Sequence, residues 1–249
     1  MPVNRGWVRR FHPGPEDSGR IVVVMPHAGS GASAYRLLSQ GLSESVEVRV
    51  IQYPGRQDRM AEPALESISA IAAGAVAELA PETAGREVIL FGHSMGALVA
   101  FEATRLLERA GTRVARLVVS AAVPPSEVAG LPEHPTDDEG LLAHMAVLNG
   151  SDASVLASDA IMRMALPAMR ADFTAFDAYT CAPGVTVAAP VTVLGGREDP
   201  AVPVGRLHGW EDHTTAEAEV TVFPGGHFYL NEQLPRVAAA ITVGVGATR

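Results

Sequence analysis

The apolar run Val88-Ile89-Leu90-Phe91 stops at Gly92-His93-Ser94-Met95-Gly96, and a helical pattern takes over at once through residues 97–110. Large and β-branched side chains in so short a run are those of a buried strand. In the helical pattern Glu102, Arg105 and Arg109 share one face. Leu98, Phe101, Leu106 and Leu107 are left for burial, and Gly111 is a natural stop. A serine caught between strand and helix sits on a sharp turn whose strained backbone lifts the hydroxyl clear of the sheet. Gly92 and Gly96 stand where side chains would hold strand and helix apart. Without that context, Gly-x-Ser-x-Gly is only a turn of small residues. The other strands decide between the two.

Ile21-Val22-Val23-Val24-Met25 reads as an earlier buried strand, ended by Pro26. His27-Ala28-Gly29-Ser30-Gly31-Ala32-Ser33 follows, then a helical stretch over 34–42. This loop lacks both the Gly-Lys-Ser/Thr ending of a phosphate loop and the Gly-x-Gly-x-x-Gly spacing of a dinucleotide site. Further strands are expected over 46–52, 114–120, 190–194 and 219–223, with helices over 64–79 and 231–241. The alternation indicates an α/β fold with a mostly parallel sheet, covered on both faces, whose chemistry gathers at the carboxyl ends of the strands. From 126 to 183 the pattern is helical only, over 138–148 and 159–179. Met145, Met162, Met164, Met169, Phe173, Phe176 and Tyr179 concentrate there. Such a stripe is either ordinary core or, because the segment falls between two strands, a lid above the strand ends. The expected organisation is one domain over 1–249 with a helical lid insertion at 126–183.

The 249 residues carry a formal charge of −9 and their basic residues are scattered, which argues against a nucleic-acid binder. Cys181 is the only cysteine, so no intrachain disulfide forms and a reducing compartment is expected. Its expected role is that of a small buried or half-buried apolar residue. No apolar run is long enough to span a bilayer, and residues 1–11 lack the apolar centre of a secretory signal. A cytoplasmic protein is expected.

A neutral serine is a poor nucleophile; it needs a base to take its proton, and the base needs a carboxylate to orient it. Ser94, Asp199 and His227 occur in the order Ser, Asp, His used by α/β hydrolases. Asp199 and His227 each follow a strand, so both arrive at the sheet edge where Ser94 is expected. Glu198 is an alternative acid, and Asp199 before Pro200 also suits a plain turn. His27 and His93 adjoin the same edge, whereas His134, His144, His208 and His213 have no strand before them. In this arrangement the backbone amides of Ala28 and Met95 are the candidates for an oxyanion hole.

Five segments together resemble the type II thioesterases of polyketide and nonribosomal peptide pathways. They are Pro26-His27-Ala28-Gly29, Tyr53-Pro54-Gly55-Arg56-Gln57-Asp58-Arg59, Phe91-Gly92-His93-Ser94-Met95-Gly96-Ala97, Leu166-Pro167-Ala168-Met169-Arg170-Ala171-Asp172-Phe173 and Phe223-Pro224-Gly225-Gly226-His227-Phe228. The similarity runs from about residue 20 to 234. It implies an α/β-hydrolase fold with a helical lid, and it implies removal of aberrant or stalled acyl groups from the phosphopantetheine arm of a carrier protein. Mapped onto this chain, the catalytic residues are Ser94, Asp199 and His227 and the oxyanion amides those of Ala28 and Met95, with no metal and no cofactor of the enzyme's own. Two departures stand out: Ser30 replaces a second glycine in the oxyanion loop, and Ala121-Ala122-Val123 replaces Gly-Arg-Arg. The implied acyl or peptidyl carrier partner is acidic, so docking onto this acidic chain calls for local basic groups, with Arg36, Arg56 and Arg59 as candidates. The rival readings are a small-molecule serine esterase, a chain-releasing acyltransferase or cyclase, and a non-enzymatic binding protein of the hydrolase fold.

Overall fold

The structure is a computed structural model that describes residues 6–15, 19–150 and 160–242. Seven strands form one sheet: β1 (Val8–Arg9), β2 (Arg20–Met25), β3 (Glu47–Ile51), β4 (Glu87–His93), β5 (Val114–Ser120), β6 (Val191–Gly196) and β7 (Ala218–Phe223), in the order β1-β3-β2-β4-β5-β6-β7. Only β1 runs antiparallel to its neighbour; every other pair is parallel. The helices are α1 (Arg36–Ser43), α2 (Ile68–Thr83), α3 (Met95–Arg109), α4 (Asp138–Asn149), α5 (Ala160–Asp177), the short α6 (Val204–Leu207) and α7 (Leu234–Thr242). The mostly parallel sheet is the one that the strand rhythm predicts, and the architecture is the α/β-hydrolase fold that the resemblance implies.

The two-residue alternation of a strand sorts the core into two layers. Ile21, Val23 and Met25 of β2, with Val88 and Leu90 of β4, pack with α2 and α3. Val22 and Val24, with Ile89 and Phe91, face the opposite way and pack with α1 and α7. Because both faces are covered, β2 reads as an unbroken apolar run.

Several boundaries differ from the sequence pattern. Helix α2 starts at Ile68 rather than 64, because Ser67 adopts extended backbone and its side chain accepts from Ala70 N–H, a cap the apolar pattern does not reveal. The stretch at 34–42 splits into a 3₁₀ turn, Ala32–Tyr35, and α1. The last helix begins only at Leu234, after the 3₁₀ turn Tyr229–Asn231. Between β5 and β6, the described part of 126–183 holds α4 and α5 and no strand. Helix α5 ends at Asp177 rather than 179, and Asp159 lies outside the described residues. Glu102 does not face solvent with Arg105 and Arg109; it is buried, accepting from Tyr179 Oη at 2.8 Å and from Arg105 at 2.7 Å. Cys181 is free and half-buried, as expected.

Strand order fixes where a site can form. The chain steps from β2 outward to β3, then returns to place β4 on the other side of β2. Loops leaving β2 and β4 therefore diverge in opposite directions, and the crevice between them opens at the carboxyl edge. Met25 pairs in register with Gly92, which sets the loop beginning at His27 beside Ser94.

Candidate active site

Ser94 occupies the turn between β4 and α3 with φ 55 and ψ −126, a left-handed conformation in a non-glycine residue. Its neighbours explain how the strain is held. A Cβ on Gly92 would lie 2.0 Å from Gly96 O, and one on Gly96 would lie 2.1 Å from Met25 O. Both positions must be glycine for β2, β4 and α3 to approach so closely. Ser94 N–H donates to Ser120 O at 2.7 Å, tying the turn to β5.

Asp199 and His227 come from the loops after β6 and β7, which are adjacent strands paired through Gly196 and Phe223. Arg197 N–H donates to Phe223 O at 2.8 Å and Glu198 N–H to Gly225 O at 3.0 Å, so the two loops leave the sheet bonded together. His227 Nδ1–H donates to Asp199 Oδ2 at 2.9 Å, with both side chains buried. The other oxygen, Oδ1, accepts from Ala201 N–H at 2.8 Å and Val202 N–H at 3.2 Å. Asp199 is thus both the turn residue and the partner of the histidine. Glu198 instead accepts from Gly225 N–H at 2.6 Å and does not bond to His227.

A carboxylate on Nδ1 assigns the proton to that nitrogen and leaves Nε2 as the basic one. His227 Nε2 is buried without a hydrogen-bond partner in this structure, so its bond to the Ser94 hydroxyl is not made here. Ser94 and His227 nevertheless line one cavity of about 390 Å³, together with Ala28 and Met95. Met95 N–H is the first amide of α3 and has no acceptor inside the helix. Ala28 N–H makes no hydrogen bond within the protein among the described residues. Next to it, Gly29 N–H donates to Asp172 Oδ2 at 2.7 Å, which turns that amide away from the cavity and toward α5.

Asp172 is the residue that sequence reasoning passed over. It lies on α5, fully buried, and takes both terminal nitrogens of Arg56 on its two oxygens, Arg56 Nη2 to Oδ1 at 2.8 Å. Met169, one turn earlier, packs on Gly29 so tightly that a Cβ there would lie 2.9 Å from its terminal methyl carbon. The loop that presents Ala28 is therefore clamped by α5. Its only sequence signal was the joint presence of Arg56 and Asp172 among the segments quoted above. Arg56 and Arg59 are accordingly not docking groups: both are buried, Arg59 donating to Gln52 O at 2.8 Å and to Glu62. A guanidinium spent on internal bonds has no charge to offer at the surface. Arg36 remains exposed, lying over the Phe11 ring.

Imidazoles crowd around the edge that carries Ser94. His93 is buried, its Nδ1 2.9 Å from Ser120 Oγ, which in turn is 2.6 Å from Tyr229 Oη. Burial, and then the nearby His227 and His27, hold its pKa well below the usual histidine range. Tyr35 Oη accepts from His27 N–H at 3.2 Å and donates to His27 Nδ1 at 2.7 Å. Burial, then His227 and Arg56, push His27 down to about 3. Both rings are neutral at pH 7, so neither puts a second positive charge beside His227. Among the described residues no group of three or more His, Cys, Asp or Glu side chains is placed to hold a metal.

The methionine and aromatic stripe divides between the two roles set out for it. Met145, Phe173 and Phe176 line the cavity, Met169 braces Gly29, Tyr179 binds Glu102, and Met164 is exposed.

The thioesterase domain model matches residues 20–243. The chain belongs to the thioesterase family. It is 41% identical over 244 residues to Thioesterase PikA5 of Streptomyces venezuelae, covering 98% of this chain and 86% of that one. It is 33% identical over 210 residues to the gramicidin S biosynthesis protein GrsT of Aneurinibacillus migulanus, covering 84% and 82%. It spans 64% of the length of the probable cadicidin biosynthesis thioesterase of Streptomyces griseus, at 41% identity. Among solved structures, the type II thioesterase BorB from the borrelidin biosynthetic cluster superimposes with a TM-score of 0.85 at 35% identity, covering 96% of this chain and 97% of that one. YbtT, the type II thioesterase of the yersiniabactin pathway, gives 0.80 at 26%, covering 95% and 97%.

Proposed function

We propose that this protein is a discrete, type II thioesterase that hydrolyses aberrant or stalled acyl groups from the phosphopantetheine arm of a carrier protein in polyketide or nonribosomal peptide synthesis. The observation that carries the reading is the meeting of Ser94 with the Asp199–His227 pair at one cavity, in a chain similar along nearly its whole length to type II thioesterases. In this reading His227 Nε2 takes the Ser94 proton as Oγ attacks the thioester carbonyl. The amides of Ala28 and Met95 hold the resulting oxyanion. The carbon–sulfur bond then breaks, the imidazolium returns its proton to the leaving pantetheine thiolate, and an acyl-serine remains. Water adds next, giving its proton to His227, and the free acid departs as Ser94 regains its hydrogen. Asp199 holds the tautomer and steadies the imidazolium throughout.

Helices α4 and α5 serve as the lid in this scheme, since their side chains line the same cavity as Ser94. No cofactor of the enzyme's own enters it, and a cytoplasmic setting suits both the carrier partner and the lone thiol. Of the three arginines considered for docking, Arg36 keeps the role. The test is hydrolysis of acyl-carrier-protein thioesters by the wild type and Ser94→Ala, with the product identified. Release of free acid by the wild type alone supports the reading; a cyclised or transferred product, or unchanged turnover in the variant, defeats it.

A further inference from the structure

Away from Ser94 the cavity wall is mostly apolar, interrupted by two imidazoles and by the exposed Glu133. His134, in the loop before α4, and His144, on α4, both line it beside Met145, Leu148, Phe173 and Phe176. His134 is committed within the protein. Its Nδ1–H donates to Asp177 Oδ1 at 2.6 Å and its backbone N–H donates to Asp177 Oδ2 at 2.9 Å. Its ring stacks on Phe173, centroids 4.1 Å apart and planes within 12°.

His144 is placed differently. Its ring stands edge-on to His134 at 4.9 Å and to Phe173 at 5.3 Å, and it makes no hydrogen bond within the protein among the described residues. Burial, and then the neighbouring His134 and His227, lower its pKa to about 4, so at pH 7 one nitrogen donates and the other accepts. Helix α4 presents His144, Met145 and Leu148 to the cavity on one face. A leucine at the first of these positions would continue the apolar wall. A half-buried ring whose nitrogens bond to nothing in the protein leaves one donor and one acceptor for the cavity's contents. Edge-on contacts with Phe173 and with His134, itself anchored by Asp177, hold the ring.

We propose that His144, braced by Phe173 and the His134–Asp177 pair, forms a polar subsite that selects acyl chains bearing a hydroxyl or keto oxygen over plain alkanoyl chains of equal length. The inference rests on the thioesterase reading and narrows its substrate class. The reaction that loads such a substrate would leave an oxygen on the chain, as a condensation or an incomplete reduction does. The experiment compares kcat/KM for 3-hydroxyacyl- and alkanoyl-pantetheine thioesters of one length, using the wild type, His144→Leu and His144→Asn. The wild type should favour the hydroxyacyl substrate about tenfold, one hydrogen bond's worth of discrimination. His144→Leu should lose that preference through the hydroxyacyl rate while keeping or raising the alkanoyl rate, which also reports intact folding. His144→Asn, retaining a donor and an acceptor, should keep part of it. An unchanged ratio in His144→Leu, or equal losses on both substrates in both variants, overturns the subsite and leaves the thioesterase reading standing. Failure of the wild type to cleave either thioester overturns both.

Discussion

The sheet edge and the helical segment above it build the same cavity by different means. At the edge, Ser94, Asp199 and His227 are placed by strand register and by glycines that nothing else can replace, and each residue has a short backbone path to a strand of the sheet. Above it, α4 and α5 touch the reacting centre through side chains: Asp172 on Gly29 N–H and Arg56, Met169 on Gly29, and Phe173 and His144 on the cavity. Backbone register tolerates no gradual change, so the edge is the same wherever the pentapeptide and its strand pairings occur. Side-chain contacts can be exchanged one at a time, so the segment above is where one thioesterase can differ from another in what it accepts.

That contrast can be broken most severely at the edge. Ser94→Ala should lower kcat by about 10⁴-fold or more with the melting temperature hardly moved, because one hydroxyl is lost from the relay and no packing goes with it. Steady-state kinetics beside a thermal melt check this, and a wild type unreactive toward a fluorophosphonate probe would contradict it. Asp172→Ala tests whether the upper segment governs the edge. It leaves Arg56 buried without its carboxylate, so a loss of about 3–5 kcal/mol is expected by denaturant unfolding. Asp172→Asn should be milder in stability yet still lower kcat more than it changes KM, since Gly29 and with it Ala28 are less firmly held. A KM effect alone would confine Asp172 to packing.

The crowded imidazoles predict an acid limit on stability. His27, His93 and His144 have folded pKa values below the unfolded value of about 6.5. Each therefore takes up a proton on unfolding, and the stability gained from keeping them neutral is present above pH 6.5 and lost as pH falls toward their folded values. Urea midpoints should drop steadily from pH 6.5 to 4, and His144→Leu should shallow that slope; an unaltered slope would remove His144 from the account. The smallest effect concerns Ala121, which holds φ 50 where related thioesterases were expected to carry glycine. Ala121→Gly should relieve left-handed strain and stabilise by up to about 1 kcal/mol, roughly 2–4 °C in Tm.

Much of this was legible before any coordinates. Strand rhythm gave the parallel sheet, and Ser94, Asp199 and His227 were identifiable because each follows a strand and parallel strands end at one edge. Other readings needed space rather than sequence. Arg56 and Arg59 looked like surface charge because a loop of polar residues gives no sign of what folds over it, and Asp172 lies 116 residues from the arginine it neutralises. Glu102 looked solvent-facing by helical spacing until the chain beyond α5 brought Tyr179 across it. His134 and His144 were set aside for lack of a preceding strand, a rule that holds for groups delivered by the sheet and says nothing of groups delivered from above.

The sequence by itself determined the periodicities, the glycines demanded by close backbone approach, and the order of three side chains along a parallel sheet. These are local or topological properties, and each is written in a few consecutive residues. Tertiary structure alone decided which charges are spent internally, that Gly29 N–H turns toward α5, and that two histidines reach the cavity. Those outcomes depend on desolvation and pairing between segments far apart in the chain, which no local pattern encodes.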